Sequence, residues 1–154
     1  MEPDGSSVLS RSPHGKLLHM SDWNTNVIEE FRANGGKVGG NFEGAPLLLL
    51  HTTGAKSGLE RVNPVMYQEL GDGRIAVFAS KAGMDTHPDW YHNLVVNPDV
   101  TAEIGTETRN FRSRTATNSE REPIWSKQKH DYPGFADYEM KTSRQIPVII
   151  LEPT

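Results

Sequence analysis

Between Gly54 and Val65 the chain reads Gly-Ala-Lys-Ser-Gly-Leu-Glu-Arg-Val-Asn-Pro-Val, directly after the apolar run Pro46 to Leu50. Two glycines and a serine make a flexible turn, and Lys56 and Arg61 place two cations within six residues. Backbone N–H groups, a hydroxyl and two cations so closely spaced suit an anion, a phosphate above all. The turn is not a Walker A loop, because the two-glycine spacing is absent and no glycine directly precedes Lys56-Ser57. No helix follows, so it is not a Rossmann fingerprint either. Taken alone, these residues also fit an ordinary hairpin loop with solvated charges.

Three further stretches carry reactive or polar groups. Ala79-Ser80-Lys81-Ala82-Gly83 offers a hydroxyl and a cation at a strand end, which suits the edge of a ligand cleft or a plain surface turn. Asp85 to Asn93 holds His87 and His92 among aspartates. On one helix those two rings stand about 140° apart, too far for one metal, and no third ligand falls in register, so no metal site is expected. Trp90 and Tyr91 read as core packing, and Asn93 as a partner for a heterocycle or for local backbone. Tyr132 to Met140 has aromatics in an irregular segment, and such loops often cover pockets. A phenol there can donate a proton or a hydrogen bond to a reducible substrate. The six histidines are scattered and no serine sits in a G-x-S-x-G elbow, so hydrolysis is not the leading chemistry.

The elements that must position these groups are legible in outline. Val27, Ile28 and Phe31 share a face of a helix expected over Asp22 to Ala33, which Asn34-Gly35-Gly36 stops. Leu47 to Thr53 reads as a strand buried on both faces. Arg61 to Leu70 is a second strand, where Pro64 implies an edge or a bulge. Gly71-Asp72-Gly73 turns the chain into a third, Arg74 to Ser80. His87-Pro88 opens a helix with proline at its first position, and Asn97-Pro98 ends it. Val100 to Ile104 and Thr108 to Arg114 form a hairpin. Asn118 caps a helix over Ser119 to Lys129, Phe135 to Lys141 makes a short helical turn, and Ile146 to Leu151 is a last buried strand. About six strands joined mostly by hairpins, with three or four inserted helices, favour an antiparallel barrel over a doubly wound sheet.

Bulk properties narrow the class. The 154 residues suit one domain, expected over 21–154, after an arm over 1–20 whose Gly, Ser and Pro content reads as disordered. Cysteine is absent, which excludes disulfides and thiolate metal sites and is compatible with a reducing cytoplasm. A net charge of −4 disfavours non-specific nucleic-acid binding. No apolar run reaches transmembrane length and no signal-peptide core is evident, so a cytoplasmic location is expected.

The Gly54–Val65 segment, Ala79–Gly83, His87-Pro88-Asp89-Trp90-Tyr91-His92-Asn93-Leu94, and Tyr138 through Ile146-Pro147-Val148 occur in an order that resembles the deazaflavin-dependent nitroreductase family of actinobacteria. The likeness spans Asn24 to Leu151. It implies an α+β fold, a six-stranded, mostly antiparallel split β-barrel related to flavin reductases and pyridoxamine-phosphate oxidases, with three or four flanking helices. It also implies an 8-hydroxy-5-deazaflavin coenzyme (coenzyme F420) that passes a hydride to a nitroaromatic, quinone or similar small acceptor. On the same resemblance Lys56, Ser57, Gly58 and Arg61 hold the coenzyme phosphate. Asn63, Pro64 and Val65 lie along its ring, Ala79, Ser80 and Lys81 edge it, and Trp90 and Asn93 complete the cleft. Tyr138 stands on the acceptor side as the catalytic residue. Glu60 puts a carboxylate beside the phosphate clamp, where relatives often carry more basic residues.

A deazaflavin is a hydride carrier, so the protein needs an anion clamp, a flat apolar wall and close placement of the acceptor rather than an acid–base dyad. Two other readings share the fold: a flavin mononucleotide oxidoreductase, and a carrier that binds deazaflavin without turnover. A homodimer, and weak association with the inner face of a membrane through Asp22 to Phe31, complete the expectations; Glu29 and Glu30 oppose strong binding to anionic lipid.

Overall fold

The computed structural model describes residues 20–39 and 44–154, with the side chains of the first helix described from Asn24 onward. The expected N-terminal arm lies outside the described residues except for Met20, which begins the first helix. Helix α1, Met20–Ala33, precedes strands β1, Leu47–Thr53, β2, Glu60–Gly71, and β3, Arg74–Phe78. Helix α2, Asp89–Val96, leads to the hairpin of β4, Asp99–Ile104, and β5, Glu107–Thr115. Helices α3, Asn118–Asp131, and α4, Gly134–Lys141, precede β6, Val148–Pro153.

The six strands close into a barrel in the order β1-β2-β3-β6-β5-β4, and every neighbouring pair is antiparallel. This is the expected barrel. The four-leucine run of β1 is buried on both faces for a reason the topology supplies. Leu48 and Leu50 face the barrel interior with Ile75, Val77, Phe111, Ile149 and Leu151. Leu47 and Leu49 face outward, beneath Val27 and Phe31 of α1. On the opposite wall Ala76, Phe78 and Val148 pack outward against Trp125 of α3 and Phe135 of α4. Trp90 and Leu94 of α2 belong to the interior cluster, so α2 covers part of the barrel core.

Helix α1 is held mainly by its apolar face. Burying a valine or phenylalanine side chain stabilises by about 1.5–3 kcal/mol. A largely exposed pair such as Arg32–Glu103, at 2.6 Å, contributes about 0.2–1 kcal/mol. Burial therefore dominates, and the ion pair sets orientation.

Pro64 sits where β2 can tolerate it. Residues Glu60 to Met66 pair with β1, whereas pairing with β3 begins at Tyr67. Pro64 therefore lies in the half-strand with one free edge, and the irregularity falls later, between Glu69 and Gly71. Two expected helix starts shift by one residue. Thr117, not Asn118, caps α3, because its hydroxyl accepts from the Glu120 N–H while Glu120 reaches back to the Thr117 N–H. Pro88 is the cap of α2 rather than its first residue.

Glu120 also anchors α3 to the barrel through both guanidinium nitrogens of Arg114, at 2.7 and 2.9 Å. The Arg114 hydrogen bonds and the Thr117 amide hold its carboxyl down at about 2. A depressed folded pKa gives stability that is present above the unfolded glutamate range and lost as pH falls toward that value. The melting temperature is expected to drop over this acid window. Glu120→Gln should flatten that part of the profile; an unchanged profile in the variant would remove Glu120 from the acid response.

Candidate anion cleft and its wall

A cleft of about 710 Å³ opens where the β1–β2 turn meets α2. Gly54, Ala55, Lys56 and Ser57 form one side, Arg61 and Asn63 of β2 the floor, and Asp89, His92 and Asn93 of α2 the other side. The turn is tied internally. The Gly54 N–H donates to Leu59 O at 2.8 Å, the Gly58 N–H to Gly54 O at 3.0 Å, and the Leu59 N–H to Ser57 Oγ at 3.2 Å. A Cβ added to Gly54 would fall 2.5 Å from Ser57 Oγ, so glycine keeps the turn closed on itself.

Asn93 docks this turn onto α2. Its Oδ1 accepts from the Ala55 N–H at 2.9 Å, and its Nδ2 donates to Thr52 Oγ1 at 3.2 Å. Both side chains are buried, Asn93 at 8 % and Thr52 at 2 % exposure. Asn93 thus ties to a backbone amide and a threonine hydroxyl of a distant segment, not to the local backbone that the sequence suggested as one of its two roles.

The donors left over define the chemistry. Gly54, Ala55, Gly58 and Leu59 have spent their amides, which leaves those of Lys56 and Ser57 without an acceptor among the described residues. Lys56 and Arg61 likewise have no carboxylate partner among the described residues. Two cations, two amides and a hydroxyl on one concave surface make a donor set that fits a phosphate. The lining contains one carboxylate, Asp89.

Glu60 does not oppose the clamp, contrary to its position in the sequence. Neighbouring strand residues point to opposite faces, and Arg61 takes the cleft face. Glu60 is turned to His51, whose Nδ1 lies 2.9 Å from its carboxylate while Nε2 lies 2.6 Å from Glu103. Glu103 in turn receives Arg32 of α1. This outer network diverts the acid from the cleft.

The alternation along β2 also orders the wall. Arg61 and Asn63 line the cleft, and Val65 and Tyr67 continue on the same face into the interior core. Burial, helped by Glu69, pushes the Tyr67 phenol up, so it stays neutral. Pro64 lies on the alternate face, and Gly58 belongs to the turn without lining the cleft. Trp90 is a buried core residue, not a cleft residue.

Ala79, Ser80 and Lys81 lie apart from the phosphate turn, on the strap between β3 and α2. Ser80 precedes a 3-10 turn, Lys81–Gly83. Lys81 and Ala82 adopt left-handed φ of 47° and 53°, each costing on the order of 1 kcal/mol in a residue with a Cβ. Gly83, at φ 82°, packs against the backbone of Tyr138, where a Cβ would fall 2.8 Å from its carbonyl oxygen. Tyr138 thus stands beside this strap, edge-on to Phe135 at 5.3 Å, and not in the phosphate cleft.

His87 precedes α2, so the two histidines are not set about 140° apart as they would be on one helix. Their rings lie 5.8 Å apart. No group of three His, Cys, Asp or Glu among the described residues is arranged to hold a metal. The residue missed altogether is Arg144, which fastens the strap from sixty residues away. Nothing near Arg144 in the sequence signals that contact.

Fold and site together describe a closed antiparallel barrel with an anion cleft at the first turn and a second, aromatic-flanked wall. The chain belongs to the F420H(2)-dependent quinone reductase family, whose model matches residues 23–153. A Mycobacterium tuberculosis H37Rv protein named as an F420H(2)-dependent quinone reductase is 35 % identical, with 96 % of this chain and 97 % of that one covered. A solved F420-H2 dependent reductase (FDR-A) is 42 % identical, with a TM-score of 0.64 over 70 % of this chain and 94 % of that one. A solved domain-swapped dimer is 38 % identical, with a TM-score of 0.65 over 85 % and 98 % of the two chains. A pyridoxamine 5'-phosphate oxidase-like protein of Listeria innocua, 15 % identical at a TM-score of 0.52, shares the fold. The protein is therefore a deazaflavin-dependent reductase, and coenzyme F420 is its cofactor.

Proposed function

We propose that the cleft at Gly54–Arg61 binds the phosphate of reduced coenzyme F420, and that the strap and Tyr138 face a quinone or nitroaromatic acceptor. The observation that carries this reading is the donor set of Lys56, Arg61, the Ser57 hydroxyl and two turn amides, for which no acceptor stands among the described residues. Lys56 and Arg61 hold the phosphate as charge-assisted donors, and Ser57 and the turn amides orient it. Asn63 and Val65 offer a wall for the ring, leading from the cleft toward the barrel interior, while Pro64 between them faces the other side of β2. Trp90 backs that wall from the core, and Asn93 keeps the turn in place. Ala79, Ser80 and Lys81 edge the site on the other side. When bound, the reduced coenzyme supplies the hydride. Tyr138, or water, supplies the proton that completes reduction of the acceptor.

A homodimer accompanies this reading, supported by the 38 % identical relative solved as a domain-swapped dimer. Association with a membrane surface is weak in it. Val27 and Phe31 are already used against the barrel, and Glu29 and Glu30 are exposed on α1. No helix among the described residues is long and apolar enough to cross a membrane.

The test is a fluorescence titration of purified protein with reduced F420 and, separately, with flavin mononucleotide. Binding of F420 and not of the flavin is expected. Rapid mixing of the loaded protein with a quinone or a nitroaromatic should then oxidise the coenzyme in a single turnover. Tight binding without oxidation by either acceptor would make the protein a carrier instead.

A further inference from the structure

We propose that Arg144 is a positioning residue: its guanidinium fixes the strap from Ala79 to His87 and holds His87 as the neutral imidazole protonated on Nε2. One side chain reaches four residues of the strap. Nε donates to Met84 O at 2.9 Å, Nη2 to Ser80 O at 2.9 Å, and Nη1 to Ala79 O at 3.2 Å and to His87 Nδ1 at 3.0 Å. An arginine in a protein only donates. His87 Nδ1 must therefore accept, and the ring's proton sits on Nε2.

The surroundings agree with that tautomer. Burial first, then the Arg144 charge and His92, all push the His87 pKa down and disfavour the imidazolium. The ring packs 4.8 Å from Tyr91 and 5.8 Å from His92, and His92 lines the anion cleft. The segment after Arg144 is equally anchored: Arg121 donates to Ile146 O at 2.9 Å, and Ile146 is buried. On the near side Thr142 donates to Asp85 Oδ1 at 2.9 Å. Arg144 is thus held on a firm base while it grips a strap whose Lys81 and Ala82 are in left-handed backbone conformations. Ser80 and Lys81, on the acceptor side, and His92, on the cleft side, become parts of one ordered wall through it.

The test uses the full-length protein labelled with 15N. Long-range proton–nitrogen correlation spectra, with His87 assigned from His87→Gln, are expected to show a neutral ring protonated on Nε2. That state should persist as pH falls through the range where an ordinary imidazole protonates. A ring protonated on Nδ1, or one that titrates like an ordinary histidine, would overturn the proposal.

Arg144→Lys supplies charge without the planar fork. It is expected to let His87 titrate and to lower kcat by about 10- to 100-fold through misplacement of the strap. Affinity for F420, set at Lys56 and Arg61, should stay the same. His87→Gln offers an amide oxygen to Nη1 and should lose less activity than His87→Leu; equal losses would remove the His87 anchor. The kinetic measurements rest on the reductase reading and the spectra do not. Failure of the wild type to bind F420 sinks that reading alone, and an Nδ1-protonated His87 sinks the positioning role alone.

Discussion

Arg61→Ala should weaken binding of reduced F420 by about 1.5–3 kcal/mol, the scale of a hydrogen bond to a charged group. In a titration this is a rise in Kd of roughly 10- to 150-fold. Lys56→Ala should follow in the same direction with a smaller effect, because a flexible ammonium holds a phosphate as a point charge whereas a guanidinium fits it with a planar fork. The cause is specific to this cleft. Neither cation is paired with a carboxylate among the described residues, so neither must release a partner before binding an anion. The loss should shrink at high salt, where a half-exposed cation is screened. Unchanged affinity in Arg61→Ala would remove that residue from the clamp and leave the turn as a solvated hairpin.

Asn93→Leu is the second large effect, and it reaches stability as well as binding. The leucine is close in size but cannot pair. The Thr52 hydroxyl would be left without its partner in a buried setting, and the Ala55 N–H in a half-buried one. An orphaned buried donor or acceptor costs about 1–3 kcal/mol, so the pair places the loss at about 2–5 kcal/mol. Chemical denaturation should show it as a lower midpoint with an unchanged slope. Coenzyme affinity should fall further than stability explains, because the turn carrying Lys56 and Ser57 loses the Ala55 hydrogen bond that ties it to α2. Asn93→Asp keeps an acceptor for Ala55 and should recover part of the binding. Equal losses in the two variants would place the role of Asn93 in the Thr52 contact instead.

How far the sequence reaches depends on the range of the interaction being read. The four-leucine run of β1, the two turns that flank β2 and the helix stops at Asn34 and Asn97 are local signals, and each appears where expected. Cap positions slip by one residue at Thr117 and Pro88 because two adjacent residues can each satisfy the same helix end. The chemistry of Lys56, Ser57 and Arg61 was legible because strand, turn and strand keep them together without help from elsewhere. Glu60 is a neighbour of the clamp in sequence, but strand alternation sends it to the other face, and what the sequence does not supply is His51, with Glu103 behind it, on that face. Sequence spacing separates His87 and His92 only if both are helical, and the cap at Pro88 instead brings their rings together.

By itself the sequence determined the elements, the barrel class and the anion-binding turn, since these rest on periodicity and on residues adjacent along the chain. Only the tertiary structure decided which donors remain free. That depends on Asn93 taking the Ala55 amide, on the outer network taking Glu60, and on Arg144 crossing the fold to hold the strap. The physical reason is common to all three. A hydrogen bond removes a group from the set available to a ligand, and its partner here comes from a distant part of the chain that only the closed barrel brings into contact.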